Sequence, residues 1–337
     1  MPCIPSCKYG PDAFHIILHG CLGGNPAMHS LLPYTLPYIQ CPIVYAALYQ
    51  RALCMRQGTD ARYSVWQSLS ASITNQPKEN TMEKKKEPLF VALSNQKGGV
   101  GKSTLTILLA SYFHYRKGRN VLVVDCDYPQ HSIRDIREWD IKTVEKNEKL
   151  QEKLLEQFEG SDRKAYTVLT STPEDAKQTA YEFLDRSETA YDLVLTDLPG
   201  TVNAAGVFRS LVNMDYLFVP VTQNRMVMQS SMNFVLAIRE LLSRNDSFPL
   251  KDIRLFWNCM DRRVSKELYR AYTEIFRHLK LKTLETVLPK AERFNRGICT
   301  DGQVFRSTLF PPSPSLLKGS HIDLLADELE TLLGLTD

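Results

Sequence analysis

Residues 89–104 read Leu89-Phe-Val-Ala-Leu93-Ser-Asn95-Gln96-Lys97-Gly98-Gly99-Val100-Gly101-Lys102-Ser103-Thr104. A short apolar run, a glycine-rich turn and then an apolar pattern at helical spacing to Tyr115 predict a buried parallel strand, a loop and a helix. The glycines Gly98, Gly99 and Gly101 let backbone N–H groups turn inward and approach phosphate oxygens. The helix that follows adds the positive end of its dipole. Lys102 supplies a point charge for the β- and γ-phosphates, and Ser103 offers a hydroxyl to Mg²⁺. Val100 and Thr104 complete the expected phosphate-contacting set. The ordinary Walker A pattern requires glycine where Gln96 stands. The loop matches Lys-Gly-Gly-x-Gly-Lys-Ser instead, the deviant form.

Outward from this loop, strands are expected at 121–125, 166–169, 192–196, 216–221, 254–258 and 283–287. Helices are expected at 141–159, 173–186, near 203–212, 227–243, 264–280 and 321–334, with Gly118 stopping the first helix. Strands alternating with helices predict an α/β fold of the P-loop NTPase class, a mostly parallel sheet with helices on both faces.

Two of these strands end in carboxylates: Val123-Val-Asp125-Cys-Asp127-Tyr-Pro129-Gln130 and Leu193-Val-Leu-Thr-Asp197-Leu-Pro199-Gly200. With the loop, and in this order, they resemble the ParA/MinD family of deviant Walker A ATPases over about residues 88–335. The resemblance implies ATP and Mg²⁺ as cofactors and slow, Mg²⁺-dependent ATP hydrolysis. Phosphoryl transfer needs Mg²⁺ held by few protein ligands, and carboxylates at the C-terminal ends of neighbouring parallel strands suit that task. Asp125 and Asp197 would hold Mg²⁺-bound waters beside Ser103. Asp127 would orient the attacking water, the role the family assigns to its second Asp. Lys97 matches the family's signature lysine, which reaches the nucleotide of the other subunit, so ATP becomes a dimerisation switch and a homodimer is expected. Lys97, Lys102 and Asp127 are therefore the expected catalytic residues. Tyr128 departs from the pattern, standing between Asp127 and Pro129. Asn258 ends a strand where family members place an Asn that reads adenine, although a plain turn Asn fits equally. Leu288-Pro289 begins the other expected wall.

Within the family, residues 198–214 hold no cysteine to bridge an Fe–S cluster. Residues 297–337 hold 2 Lys/Arg against 6 Asp/Glu, the wrong charge for an anionic lipid surface, so no membrane partner is expected. A C-terminal tyrosine cluster, as in bacterial tyrosine kinases of this fold, is absent. What remains is the partition branch, and Asp125-Cys-Asp-Tyr-Pro-Gln130 is similar to the ParA-like TraA proteins of Bacteroides-type conjugative transposons. Two functions stay open: a DNA-cargo ATPase stimulated by a partner protein, or a regulatory nucleotide-binding module that gates assembly of a transfer complex with little hydrolysis. For DNA, residues 224–296 hold 15 Lys/Arg and 8 Asp/Glu. On a continuous helix over 264–280, Arg263, Lys266, Arg270 and Arg277 would share one arc, opposite Leu268, Tyr272, Ile275 and Leu279. Such a stripe can follow a phosphate backbone without reading bases.

Composition shows a seam. Residues 1–80 hold 8 charged residues, and none lies between Asp12 and Arg51. Five cysteines (Cys3, Cys7, Cys21, Cys41 and Cys54) fall there without metal-like spacing. Prolines interrupt the uncharged stretch 31–50, which disfavours a spanning helix, and no signal-peptide pattern precedes it. We expect a low-charge, poorly ordered or non-native extension over 1–81 and an ATPase domain over 82–337, opening at Met82. The dispersed Cys126, Cys259 and Cys299 suit a reducing cytoplasm. At 43% hydrophobic and 23% charged residues the chain is neither disordered nor fibrous, and its net charge of +3 does not by itself mark a nucleic-acid binder.

Overall fold

Phe90 and Ala92 turn to one side of the first strand, β1 (Leu89–Leu93), and Val91 and Leu93 to the other; all four are buried. Both faces of a strand with that pattern must be covered. The computed structural model describes residues 86–335 except 129, 160–162, 201–204, 246, 262, 264–265 and 300. The expectations for residues 1–81 and for Pro129 lie outside the described residues.

After β1 come α1 (Lys102–Tyr115), β2 (Val121–Asp125), α2 (Ser132–Glu145), α3 (Glu148–Phe158), β3 (Thr167–Thr170), α4 (Ala176–Arg186), β4 (Leu193–Asp197) and α5 (Ala205–Val212). Next are β5 (Tyr216–Val221), α6 (Arg225–Leu242), β6 (Asp252–Trp257), α7 (Glu267–His278), the short α8 (Pro314–Leu317) and α9 (Ile322–Leu333). The six strands form one parallel sheet in the order β3-β2-β4-β1-β5-β6. Leu105, Leu108 and Phe113 of α1 and Leu325 and Leu329 of α9 cover one face. Ala180 of α4, Leu211 of α5, Phe234 and Ile238 of α6 and Phe276 of α7 cover the other. Burial of these side chains is the main stabilising term, at roughly 1.5–3 kcal/mol for each large one. Among the described residues no helix is long and apolar enough to cross a membrane.

Three expected elements differ. The helix expected at 141–159 is two helices, because Asn147 leaves the helical conformation and its side chain accepts from Leu150 N–H at 3.2 Å, capping α3. The helix expected over 264–280 begins at Glu267, so Arg263 is not on it. The strand expected at 283–287 is reduced to a single bridge between Leu255 and Thr283. Successive N–H groups of a strand point to opposite sides, yet those of Glu285 and Thr286 both donate to the Glu328 carboxylate of α9, at 2.7 and 2.9 Å.

Candidate nucleotide site

Parallel register builds the site. Asp197 at the end of β4 pairs with Leu93, the last residue of β1, and with Asp125, the last residue of β2. The loop leaving β1 therefore starts beside both carboxylates. Its course is fixed by Asn95, which is wholly buried. The Asn95 amide donates to Pro220 O and Ser231 Oγ, each at 2.7 Å, and its Oδ1 accepts from Lys97 N–H at 3.1 Å. Gly101 sits at φ 88°, a left-handed conformation that favours glycine, and turns the chain into α1.

Lys102 is only 9% exposed. Gly200 makes room for it: a Cβ there would lie 3.1 Å from Lys102 Nζ. Burial pushes the Lys102 pKa down, and the charges of Asp197 and Asp127 oppose that shift. Asp197 is fully buried, and among the described residues neither carboxylate oxygen has a hydrogen-bond partner. Burial pushes its pKa up to about 7, reinforced by the Asp125 and Asp127 charges. The Ser103 hydroxyl, close by but short of hydrogen-bond geometry, and the Lys102 ammonium pull it back. Two orphaned carboxylate oxygens beside a buried lysine and a serine hydroxyl fit a hydrated cation and an anionic chain of phosphates.

Asp125, the other carboxylate expected at the Mg²⁺, is held by backbone N–H groups. It is also fully buried, but Oδ2 accepts from Ile133 N–H (2.9 Å) and Arg134 N–H (3.0 Å), and Oδ1 from Asp127 N–H (3.2 Å). It anchors the first turn of α2 and leaves Asp197 as the carboxylate with free oxygens. Asp127 lies at the rim, near enough to act on Lys102 through space. Tyr128 is 67% exposed, its ring edge-on to His131 at 5.8 Å. Lys97, Gly98 and Gly99 are exposed along the outer side of the loop, whereas Val100 is buried.

Asn258, 2% exposed, lies under the loop: its amide donates to Val100 O at 2.8 Å, and its Oδ1 is buried without a partner among the described residues. A cleft of about 640 Å³ is lined by Met260, Asp261, Pro289, Ala291 and Arg293 among others. Of the four cations expected on one helix face, Lys266, Arg270 and Arg277 lie on α7 or at its N-cap and Arg263 does not. Arg263 precedes α7 and is held by Asp261 through two bonds of 3.0 and 2.7 Å. Lys266 is the residue before the helix, Arg270 is exposed on it, and Arg277 pairs with Glu274 at 2.6 Å. Ile275 and Leu279, expected to face inward, are partly exposed, while Tyr272 and Phe276 carry the packing.

Asn95 and Gly200 are positioning residues that the motif reading did not single out; their signal lay inside the quoted motifs, at the loop's first residue and at the glycine closing Asp-x-x-Gly. A strand-loop-helix cradle with a buried lysine and orphaned carboxylate defines a nucleotide-binding domain. The CobQ/CobB/MinD/ParA nucleotide binding domain matches residues 91–304, and the chain belongs to that family. Similar solved structures include a plasmid partition protein from Borrelia burgdorferi, 20% identical, covering 74% of this chain and 100% of that one, with a TM-score of 0.45. Others are the MinC:MinD cell division protein complex of Aquifex aeolicus (18%; 74% and 97%; TM-score 0.47) and the cobyrinic acid a,c-diamide synthase of Mycobacterium smegmatis with bound ATP analogue and magnesium (20%; 61% and 86%; TM-score 0.44). No curated protein matches the chain.

Proposed function

We propose that this chain is a ParA-type ATPase that binds ATP with Mg²⁺, dimerises on ATP, hydrolyses it slowly and works in partition or conjugative transfer of a mobile DNA element. The observation that carries the reading is the placing of buried Lys102 near the unpartnered Asp197 oxygens at the mouth of the phosphate loop. Ser103 and Asp197 would hold the Mg²⁺, which neutralises phosphate charge when bound. The N–H groups of the loop and of the first turn of α1 cradle the phosphates. Lys102 holds the terminal phosphates, and Asp127 orients the attacking water.

Lys97 is solvent-exposed on the outer side of the loop, free to serve a nucleotide in a second copy. The ATPase domain spans 82–337, and the setting is cytoplasmic. Asp125-Cys-Asp-Tyr-Pro-Gln130 supports a conjugative element as the source. A second reading, a gating module with little hydrolysis, draws on the exposed Tyr128 inside the segment that carries Asp127. ATPase assays with and without DNA and candidate partners separate the two. The direct test is titration of ATP into wild type and Lys102→Ala: the variant should lose most affinity, because a charge-assisted phosphate contact is gone. Equal affinity would sink the assignment.

A further inference from the structure

Arg306 reaches the phosphate loop from the far end of the chain. Its Nη1 donates to the Thr104 hydroxyl at 3.0 Å, and Thr104 is the third residue of α1. The first backbone bond of α1 runs from Leu105 N–H to Gly101 O, so the N–H groups of 102–104 have no acceptor within the helix. The guanidinium forms no ion pair among the described residues, and its Nε is buried without a partner. The nearby carboxylate is already engaged: Asp140 Oδ2 accepts from Ser307 Oγ, Thr308 N–H and Thr308 Oγ1 at 2.7–3.0 Å. Arg137 on α2, which meets the neighbouring Thr308, shows what a structural arginine looks like here: it donates to Thr308 Oγ1, Thr308 O and Tyr166 O. Arg306 has no such set. Burial lowers its pKa, the cost of a cation left short of partners.

The backbone of Arg306 is held rigidly. Its N–H donates to Arg296 O at 3.0 Å, and Phe305 N–H donates to Gly297 O at 3.3 Å, closing a hairpin. Val304 and Leu309 of this segment pack on Val144 and Leu150. The two residues that follow Arg306 are tied to α1 itself: Ser111 Oγ donates to Ser307 O at 2.6 Å and Tyr115 OH to Thr308 O at 2.8 Å. The guanidinium is thus fixed relative to the helix whose first turn closes the loop. A half-buried, pre-positioned, incompletely paired guanidinium beside open N–H groups calls for an anionic oxygen. Thr104 fits the same ligand, because a hydroxyl that accepts from Arg306 keeps its own proton to donate.

Resting on the nucleotide-binding reading, we propose that Arg306 is a nucleotide ligand supplied in cis, its guanidinium sharing with Thr104 an oxygen of the phosphate nearest the nucleoside. Lys102 Nζ lies back toward Gly98 and Gly200 and takes the terminal phosphates. Thr104 stands two residues further along α1, at the nucleoside end of the cradle.

The test is calorimetric titration of wild type, Arg306→Met and Arg306→Lys with ATP, ADP and the two α-phosphorothioate diastereomers of ATP. Wild type should prefer one diastereomer. Arg306→Met should bind ATP and ADP alike roughly tenfold to a hundredfold more weakly, with that preference abolished and the nucleotide-free unfolding midpoint not lowered. Arg306→Lys keeps the charge and loses the fork. It should bind with intermediate affinity and without the preference, and it serves if the Met variant fails to fold. Unchanged affinity in both variants, weakened affinity with the diastereomer preference intact, or no preference in wild type would each overturn the proposal. Wild type that binds neither ATP nor ADP would overturn the nucleotide reading itself; wild type that binds while both variants match it removes Arg306 alone.

Discussion

Gly101 and Asn258 lie 157 positions apart, yet the fold makes them one device. An alanine Cβ at position 101 would lie 2.9 Å from Asn258 Nδ2, closer than a carbon and a nitrogen can rest. Asn258 must then swing away and lose its 2.8 Å bond to Val100 O. Gly101→Ala carries two costs: about 1–2 kcal/mol for a non-glycine residue at φ 88°, and roughly 1–3 kcal/mol for the broken buried bond. In an Asn258→Ala background the second cost has already been incurred and the clash is gone, so only the backbone part remains. The expected coupling is on the order of 1–2 kcal/mol. Urea unfolding of wild type, both single variants and the double variant without nucleotide measures it. Additivity to within about 0.5 kcal/mol would show that the asparagine does not brace the loop.

The buried Asp197 predicts a pH effect. Below about pH 4 the carboxyl is protonated in both states; between there and its folded value of about 7 the native state holds a proton that the unfolded chain lacks, so stability falls as pH rises. Asp197→Asn lacks this dependence, and its stability relative to wild type should rise by roughly 2–4 kcal/mol between pH 4 and 8; a constant difference in denaturant melts across that range refutes the assignment. Lys97→Ala should still bind ATP but remain monomeric in sizing runs with ATP and Mg²⁺; normal dimerisation and turnover refute its role in trans. Changing Arg270 and Arg277 together to Glu should weaken binding to unrelated duplexes and flatten the salt slope. Equal slopes, with ATP dimerisation intact, place DNA elsewhere.

The loop was legible because its signals are local. A buried strand, glycines at fixed offsets and a helix start occupy sixteen consecutive residues, and each strand-end carboxylate closes an apolar run. The register that sets Asp197 between Leu93 and Asp125 is a property of the assembled sheet. So are the contacts of Asn95 with Ser231 and of Arg306 with Thr104, whose partners lie 136 and 202 residues away. Local competition explains the misplaced elements. Asn147 satisfies a helix start more strongly than it continues one, and Asp261 captures Arg263 just outside the helix it was counted on. Asp125 was legible as a strand-end acid, but its duty as a cap depends on where α2 begins, nine residues before the helix expected from 141; Ile133 and Ile136, three apart, were the signal for that start.

The Glu328 carboxylate that takes two consecutive amides has a consequence for how copies of this protein can meet. A sheet normally ends on a strand whose outward N–H and C=O groups are a template for another chain. Here the segment beside β6 bridges it at Thr283 and pairs with its extension again at Pro289, and between the two a negative charge occupies the donors of Glu285 and Thr286. An incoming strand would have to displace an ion from both amides before its first hydrogen bond could form. The β6 side of the sheet is therefore guarded at these two amides against edge-to-edge growth.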